Sequence, residues 1–334
     1  MKRCVYASIV FLVFGCCTVL NAQAGEVVGM VTGAKTGTYI QFGKDIARAA
    51  AKHGLNIEVK ESQGSLDNIK RLNSKENAAF GIVQSDVLGI LYANKPEVAR
   101  RLRMVYPLYN EEVHLLARKS IRSISDLEGK TVATGTKGSG NWLTLANLLH
   151  QTDIKPSRKI TDLKPIDAVI AVLEGKIDAM IYVSGKPVKL FSKLEQLKKN
   201  PKFQDLMGTI HFVPLNDPKL LEEYYVASTI GPGDYAWLSE KVPTLAVKAL
   251  LISFDFSSRH TAYYRSRCGS LNILGNAIRE NINDLKRNGH PKWQSVDLNA
   301  AVGRWKWDTC SHPESSKPSS NDLYDELQDL FNND

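Results

Sequence analysis

Two short glycine-rich turns carry the groups best suited to bind an anion. The first is Ala34-Lys35-Thr36-Gly37-Thr38, and the second is Thr136-Lys137-Gly138-Ser139-Gly140. Each turn offers backbone N–H groups, small hydroxyls and a lysine at the predicted start of a helix. A helix N-terminus carries roughly +0.5 charge and free donors, so it attracts carboxylate or phosphate oxygens. The pair predicts a cleft that holds an anion from two sides, whereas either turn alone could be only a helix start with its lysine in solvent.

The first turn overlaps a near-match to a nucleotide-binding loop. Residues 29–36 have the sequence G-M-V-T-G-A-K-T, one substitution away from the pattern G-x-x-x-x-G-K-[ST]. Ala34 occupies the position that requires glycine, and its Cβ obstructs the backbone conformation that wraps a phosphate. The polar residues just before Asp86 also weaken the acidic strand that would hold a metal. The sequence therefore argues against nucleotide hydrolysis.

The N-terminal segment has the composition of a secretory signal. Lys2 and Arg3 precede an apolar run from about Val5 to Leu20, and Ala22-Gln23-Ala24 supplies the small residues of a cleavage site. A membrane anchor would need roughly 20 apolar residues followed by a stop-transfer cluster. We therefore expect a signal peptide over residues 1–24 and a periplasmic mature protein.

Two cysteines, Cys268 and Cys310, remain once the expected signal peptide is removed. An even pair in an oxidising compartment predicts a disulfide between them. The chain of 334 residues has a net charge of +8. This mild basicity is spread along the chain without aromatic-interleaved basic runs, so nucleic acid is not an expected partner.

Catalytic signatures are missing from the sequence. The seven histidines are scattered, without an H-E-x-x-H motif or paired metal spacing. Gly138-Ser139-Gly140 is not the G-x-S-x-G nucleophile elbow, because Lys137 stands two residues before the serine. We predict no catalytic residue, no metal site and no cofactor, and hence a protein that is not an enzyme.

The elements that must position the two turns follow an α/β order. Strands and helices alternate from residue 27 to residue 83, with Ser65 as a candidate N-cap of the second helix. A second unit with the same strand, glycine turn and helix runs from residue 112 to residue 183. This β-α-β-α-β order predicts parallel sheets covered by helices, arranged as two α/β halves.

Five stretches, in this order, resemble the TAXI family of solute-binding receptors, which serve TRAP transporters. They are Thr36-Gly37-Thr38-Tyr39, Glu61 to Ile69, Gly81 to Asp86, Gly138-Ser139-Gly140, and Gly175 to Gly185. The resemblance covers about residues 26–253. It implies an α/β, two-lobed periplasmic-binding-protein (type II) fold with the ligand cleft between the lobes. It also implies sodium-gradient-driven import through separate membrane permease subunits.

Together, the turns and the resemblance give a candidate ligand-binding set. Its members are Lys35, Thr36, Gly37, Thr38, Tyr39, Ser65, Gln84, Ser85, Asp86, Lys137, Gly138, Ser139, Gly140 and Tyr182. In this interpretation Asp86 either receives an α-amino group or caps the following helix. The lysine at position 35 departs from the family pattern. An inward-facing lysine in either turn would favour a ligand more acidic than a zwitterionic amino acid.

These observations predict a receptor that captures a small anionic or zwitterionic solute, glutamate-like or dicarboxylate, by hinge closure. The receptor is expected to be a monomer that delivers its ligand to TRAP permease subunits. The alternative is a ligand sensor acting with a membrane signalling partner. We expect lobe 1 to comprise residues 25–110 and 245–310, and lobe 2 residues 111–244. Residues 311–334 form a linker and an acidic C-terminal helix, which either docks on its own domain or recognises a partner protein.

Overall fold

The computed structural model describes residues 27–35, 37–74, 76–221 and 224–313. The predicted signal peptide, Thr36 and nearly all of the predicted linker and acidic helix lie outside the described residues. The described strands are β1 (Val28–Val31), β2 (Ile57–Lys60), β3 (Ala78–Gln84), β4 (Leu102–Arg118), β5 (Thr131–Ala133), β6 (Arg158–Ile160), β7 (Ala179–Ser184), β8 (Ile210–Phe212), β9 (Tyr225–Ile230) and β10 (Val242–Phe254).

The described helices surround these strands. They are α1 (Thr38–Ala51), α2 (Ser65–Leu72), α3 (Val87–Asn94), α4 (Pro96–Ala99), α5 (Gly140–Thr152), α6 (Pro165–Leu173), α7 (Lys189–Ser192), α8 (Leu194–Lys199), α9 (Gln204–Gly208), α10 (Ala262–Glu280) and α11 (Ile282–Asn288). Short 3-10 helices cover Ile124–Leu127, Pro201–Phe203, Pro218–Leu221 and Pro291–Ser295. The α/β fold class predicted from the sequence is confirmed.

The described strands belong to one mixed sheet with the order β2-β1-β3-β10-β4-β7-β5-β6, in which β8 also pairs with β4 and β9 with β10. Near its two ends the sheet is parallel, since β1 runs parallel to β2 and β3, and β5 runs parallel to β6 and β7. In its centre β10 is antiparallel to both β3 and β4. The two parallel units are thus joined through two long antiparallel strands.

The two long strands each contribute to more than one hydrophobic core. The β4 residues up to Tyr109 pack with residues 28–109 and 249–310 and with Leu143 and Tyr224, whereas those from Val113 onward pack with residues 113–247. We call residues 27–109 and 249–313 the first half, and residues 113–247 the second half. In the second half, Val113 and Leu115 face one core and Leu116 faces the other, so both sides of the sheet are covered.

Helix α2 begins differently from the sequence-based expectation. The N-cap is Gly64, and Ser65 is the first helical residue. Gly64 has φ +109°, a backbone conformation that a side chain at that position would strain. The Ser65 hydroxyl accepts a hydrogen bond of 3.0 Å from the backbone N–H of Gln84. The prediction that Ser65 caps the helix is therefore wrong, and its hydroxyl instead ties α2 to the end of β3.

The predicted disulfide is present and joins Cys268 of α10 to Cys310, 42 residues further along the chain. In the chain-entropy model, closing a loop of this length stabilises the fold by about 4 kcal/mol. We expect the double variant Cys268→Ser/Cys310→Ser to lose about that much free energy of unfolding, measured by denaturant titration. Reduced wild-type protein is the matched comparison, and an unchanged unfolding midpoint in both samples would contradict the prediction.

Candidate functional site

The two glycine turns meet at one cavity of about 270 Å³. This is the space of roughly nine liquid-water molecules, enough for a small solute. The cavity lies at the carboxyl ends of β1, β2 and β3, which are parallel to one another, and of β7, which is parallel to β5 in the second half. Ligands of α/β sheets bind at the carboxyl ends of such strands. Its lining residues are Gly33, Ala34, Gly37, Thr38, Tyr39, Ser62, Gln63, Gly64, Ser65, Gln84, Tyr109, Glu111, Ser139, Gly140, Asn141, Val183 and Ser184.

Three helices begin at this cavity: α1 and α2 from the first half, and α5 from the second half. The halves approach closely there, because a Cβ on Gly64 would lie 3.8 Å from the backbone nitrogen of Gly140. Each helix N-terminus directs positive potential and N–H donors toward the same space. Their combination favours a ligand that carries a carboxylate or a similar anionic group.

The second turn is organised by side chains around the start of α5. Ser139 is the N-cap, and its hydroxyl accepts a hydrogen bond of 3.4 Å from the backbone N–H of Trp142. The Asn141 side-chain oxygen accepts a hydrogen bond of 2.8 Å from the backbone N–H of Val183 at the end of β7. These contacts fix the turn to the second-half sheet and hold the helix terminus against the cavity.

A buried carboxyl, Glu111, contributes to the cavity lining from the middle of β4. The Tyr39 hydroxyl of α1 donates a hydrogen bond of 2.7 Å to its Oε2 atom. Burial raises the pKa of Glu111 to about 8, and the hydrogen bond from Tyr39 only partly offsets that effect. A carboxyl in this state is costly to ionise in the free protein, so a partner from outside the chain would stabilise its charged form.

Two further polar groups of the lining are buried without a hydrogen-bond partner among the described residues. They are the side-chain oxygen of Gln84 and the hydroxyl of Tyr109, which has Thr38 and Glu111 as close polar neighbours but no hydrogen bond of good geometry. Both residues are at least nine-tenths buried. Buried polar groups in folded proteins are nearly always paired, so these groups are suited to bind a polar solute in the cavity.

Asp86 lies behind the cavity and connects the two halves. It is the N-cap residue of α3, but its side chain makes no capping hydrogen bond. Its Oδ2 atom instead accepts hydrogen bonds from Thr144 (2.8 Å) and Tyr225 (3.2 Å). Burial raises the pKa of Asp86 to about 6, partly offset by these hydroxyls. The structure thus supports neither of the two roles considered for its side chain, and gives it a contact between halves.

Half of the predicted ligand-binding set lines the cavity, namely Gly37, Thr38, Tyr39, Ser65, Gln84, Ser139 and Gly140. Lys35 and Lys137 are exposed and do not line it, so they give no support for a more acidic ligand. Ser85 is buried, and its hydroxyl donates to the backbone oxygen of Tyr224. The remaining predicted residues outside the lining are Asp86, Gly138 and Tyr182, whose ring packs edge-on against Phe191.

A larger cavity of about 650 Å³ lies at the end of the second half, away from both turns. Its basic residues are Lys119, Arg122, Lys198 and Lys241, and Trp237 is one of its apolar walls. None of the predicted ligand-binding residues lines it. The smaller cavity, where helix N-termini from both halves meet several buried polar groups, is therefore the candidate ligand site.

Sequence reasoning missed several lining residues, of which Tyr109 and Glu111 are the most important. One feature of the sequence could have indicated Glu111. The pair Glu111-Glu112 interrupts an apolar run, and alternate residues of a strand face opposite sides. In the structure Glu112 faces away from the cavity and accepts a hydrogen bond of 2.9 Å from the backbone N–H of Lys186.

No described helix is long and apolar enough to cross a membrane. The described residues also contain no group of three or more histidine, cysteine or acidic side chains that could hold a metal ion.

The described residues thus form a mixed α/β fold with a small polar cavity between two halves. The chain belongs to the NMT1-like family, whose model matches residues 30–266, more than half of its length.

Several solved structures are similar to the chain at low identity. One is the putative periplasmic sulfonate-binding protein SsuA from Methylobacillus flagellatus KT, with 14% identity, coverage of 79% of this chain and 70% of that chain, and a TM-score of 0.47. A periplasmic transporter gives 12% identity, coverage of 93% and 98%, and a TM-score of 0.48. The Candida albicans CA3427 gene product, which has the generic periplasmic binding protein fold, is 11% identical to this chain. The match covers 91% of this chain and 95% of that chain, with a TM-score of 0.47.

Proposed function

We propose that the protein is a periplasmic receptor of the TAXI type, which captures a small organic anion or amino acid and delivers it to TRAP permease subunits. One observation carries the binding part of this proposal: Gly37 and Thr38 of the first half and Ser139 and Gly140 of the second half line one cavity. The TRAP partner and the periplasmic location rest on the sequence resemblance and on the N-terminal signal pattern.

In the proposed mechanism the two halves are lobes that close on the ligand. The lobes connect through β4 and β10, whose central residues Glu111 and Val247 pair with each other. Ligand stabilises the closed form, because only that form brings both groups of helix N-termini to it. The contact of Asp86 with Thr144 and Tyr225 joins the same two lobes.

Two single substitutions test the position of the site. Thr38→Ala removes a half-buried hydroxyl from the first turn of α1, and Ser139→Ala removes the cap of α5. We expect each to weaken ligand binding about 10-fold, measured by calorimetry. Loss of a serine cap typically costs about 1 kcal/mol of stability, so both variants should remain folded. Unchanged affinity in both variants would refute the assignment of this cavity.

The ligand class is tested by a thermal-shift screen of the purified protein against organic acids and amino acids. A ligand present at 100 times its dissociation constant stabilises the folded state by about 2.7 kcal/mol. We expect at least one member of the panel to raise the melting temperature by several degrees. A flat response across the panel would contradict the proposed function.

A further inference from the structure

We propose that the ligand is a zwitterion of the amino-acid type, and that Glu111 is the residue that binds its ammonium group. This inference rests on the proposed function and narrows it. It selects amino acids over the dicarboxylates and other simple organic anions that the same receptor class could hold.

The charges around the cavity are the first argument. Among the described residues that line it, Glu111 is the one carboxyl, and there is no lysine, arginine or histidine. A dicarboxylate would bring two negative charges to a space that holds an acid and no base. A zwitterion suits it better, because its carboxylate can meet the N-termini of α1, α2 and α5 while its ammonium meets Glu111.

The partners of Glu111 are the second argument. Its Oε2 atom accepts one hydrogen bond from Tyr39, and the described residues provide no ion pair for it. Lys292 is the basic residue that acts on Glu111, but its Nζ donates to the backbone oxygen of Lys186. A buried carboxylate without a counter-charge is strongly unfavourable, so a cation from the ligand would compensate it.

Unpaired acceptors in the lining are the third argument. An ammonium group has three N–H donors and no acceptor. The carboxylate of Glu111, the hydroxyl oxygen of Tyr109 and the side-chain oxygen of Gln84 all line the cavity. The last two make no hydrogen bond of good geometry among the described residues, although the Tyr109 hydroxyl has Thr38 and Glu111 as close polar neighbours. These three oxygens match the donors of an ammonium in number and kind.

Protonation gives the inference a distinctive signature. Burial, with smaller contributions from the charges of Asp86 and Glu112, raises the pKa of Glu111 to about 8 despite the opposing effects of Tyr39 and Lys292. The free protein therefore holds Glu111 mostly neutral at pH 7. Binding an ammonium requires the charged form, so it should release a proton. Affinity for an amino acid should then rise about 10-fold per pH unit up to about pH 8 and level off above it.

The test compares each amino acid with the same molecule lacking the amino group, by calorimetry on the full purified protein. Suitable pairs are L-glutamate with glutarate, L-leucine with 4-methylpentanoate, and L-alanine with propionate. We expect the amino acid of the best-binding pair to bind at least 30-fold more tightly than its partner. Glu111→Gln should remove at least 30-fold of the amino-acid affinity and change the affinity of the deaminated partner less than 3-fold.

Glu112→Gln is the matched control, because it neutralises the neighbouring buried acid, which faces away from the cavity. It should leave the affinity for the deaminated partner within about 3-fold of wild type, and it should not weaken the amino acid, because the charge of Glu112 opposes the ionisation of Glu111. A deaminated partner that binds wild type as tightly as its amino acid, or a Glu111→Gln variant that keeps the preference, would overturn the inference and leave the proposed function standing. Affinity that falls as the pH rises would also overturn it, since neutral Glu111 would then donate to a ligand carboxylate. Failure of every acid and amino acid to bind wild type would instead refute the proposed function.

Discussion

Above about pH 6.5, where the lowered pKa of buried His114 no longer makes stability rise with pH, the unliganded protein should lose stability as the pH rises to 9, and Glu111→Gln should remove most of that loss. Burial raises the pKa of Glu111 from an ordinary 4.5 to about 8. The folded state therefore binds more protons than the unfolded state between these values. The stability that neutral Glu111 preserves is fully present below about pH 4.5 and is lost as the pH passes through 8. The difference of roughly 3.5 between the two pKa values corresponds to about 5 kcal/mol.

Denaturant titrations at a series of pH values measure this effect, and Asp86→Asn provides a matched comparison. The pKa of Asp86 is raised by burial from 3.8 to about 6, so its contribution of about 3 kcal/mol is lost at lower pH, between about 4 and 6. Glu111→Gln should therefore reduce the pH dependence of stability mainly above pH 6, and Asp86→Asn should reduce it mainly between about pH 4 and 6. A wild-type stability that is constant or rises between about pH 6.5 and 9 would contradict the assignment of a neutral Glu111 in the free protein.

Gly140→Ala should weaken ligand binding at least 10-fold while leaving the protein folded. A Cβ on Gly140 would lie 2.2 Å from the Gln84 side-chain oxygen and 2.6 Å from its Cδ atom. Gln84 is buried, and the open space beside it is the cavity itself. The amide must therefore move into the volume that the ligand occupies. Calorimetry with any ligand found in the thermal-shift screen measures the loss.

A double-mutant cycle shows whether this clash is the cause. In a Gln84→Ala background the second substitution, Gly140→Ala, should cost less than 3-fold in affinity, because the atoms in conflict are gone. Gly269→Ala is the control for replacing a helical glycine, since its Cβ would meet nothing within 4 Å. It should bind like wild type. Additive losses in the double variant would show that Gly140 acts through something other than Gln84.

Local sequence patterns predicted the helices that begin at the cavity, but they did not predict that Glu111 of β4 lines it. Helix α2 begins at Ser65, within a residue of its predicted start, and α1 and α5 begin within a residue of their glycine turns. Those turns have strong local signals, because glycine and a following apolar periodicity mark a helix start. The role of Glu111 depends on which strands flank β4 and on which face of the sheet is covered. Such long-range information does not appear in a short stretch of sequence.

Two lysines were included in the predicted ligand-binding set but do not line the cavity. Lys35 and Lys137 suggested anion binding because each precedes a predicted helix in a glycine-rich turn. In the structure both side chains are exposed. A long charged side chain at a turn gains little by leaving water, so its presence there says little about the direction in which it points. Backbone N–H groups and buried uncharged polar side chains define the cavity instead.

The path of the chain through β4 and β10 also bears on the order of assembly. The second half is one continuous segment, although its strands pair over long distances, as Val113 does with Val183. The first half is completed only when segments from both ends of the chain meet, as in the pairing of Gln84 on β3 with Ala249 on β10. Closing such a long loop is entropically costly and slow. The cavity needs both halves, so it cannot form before that loop is closed.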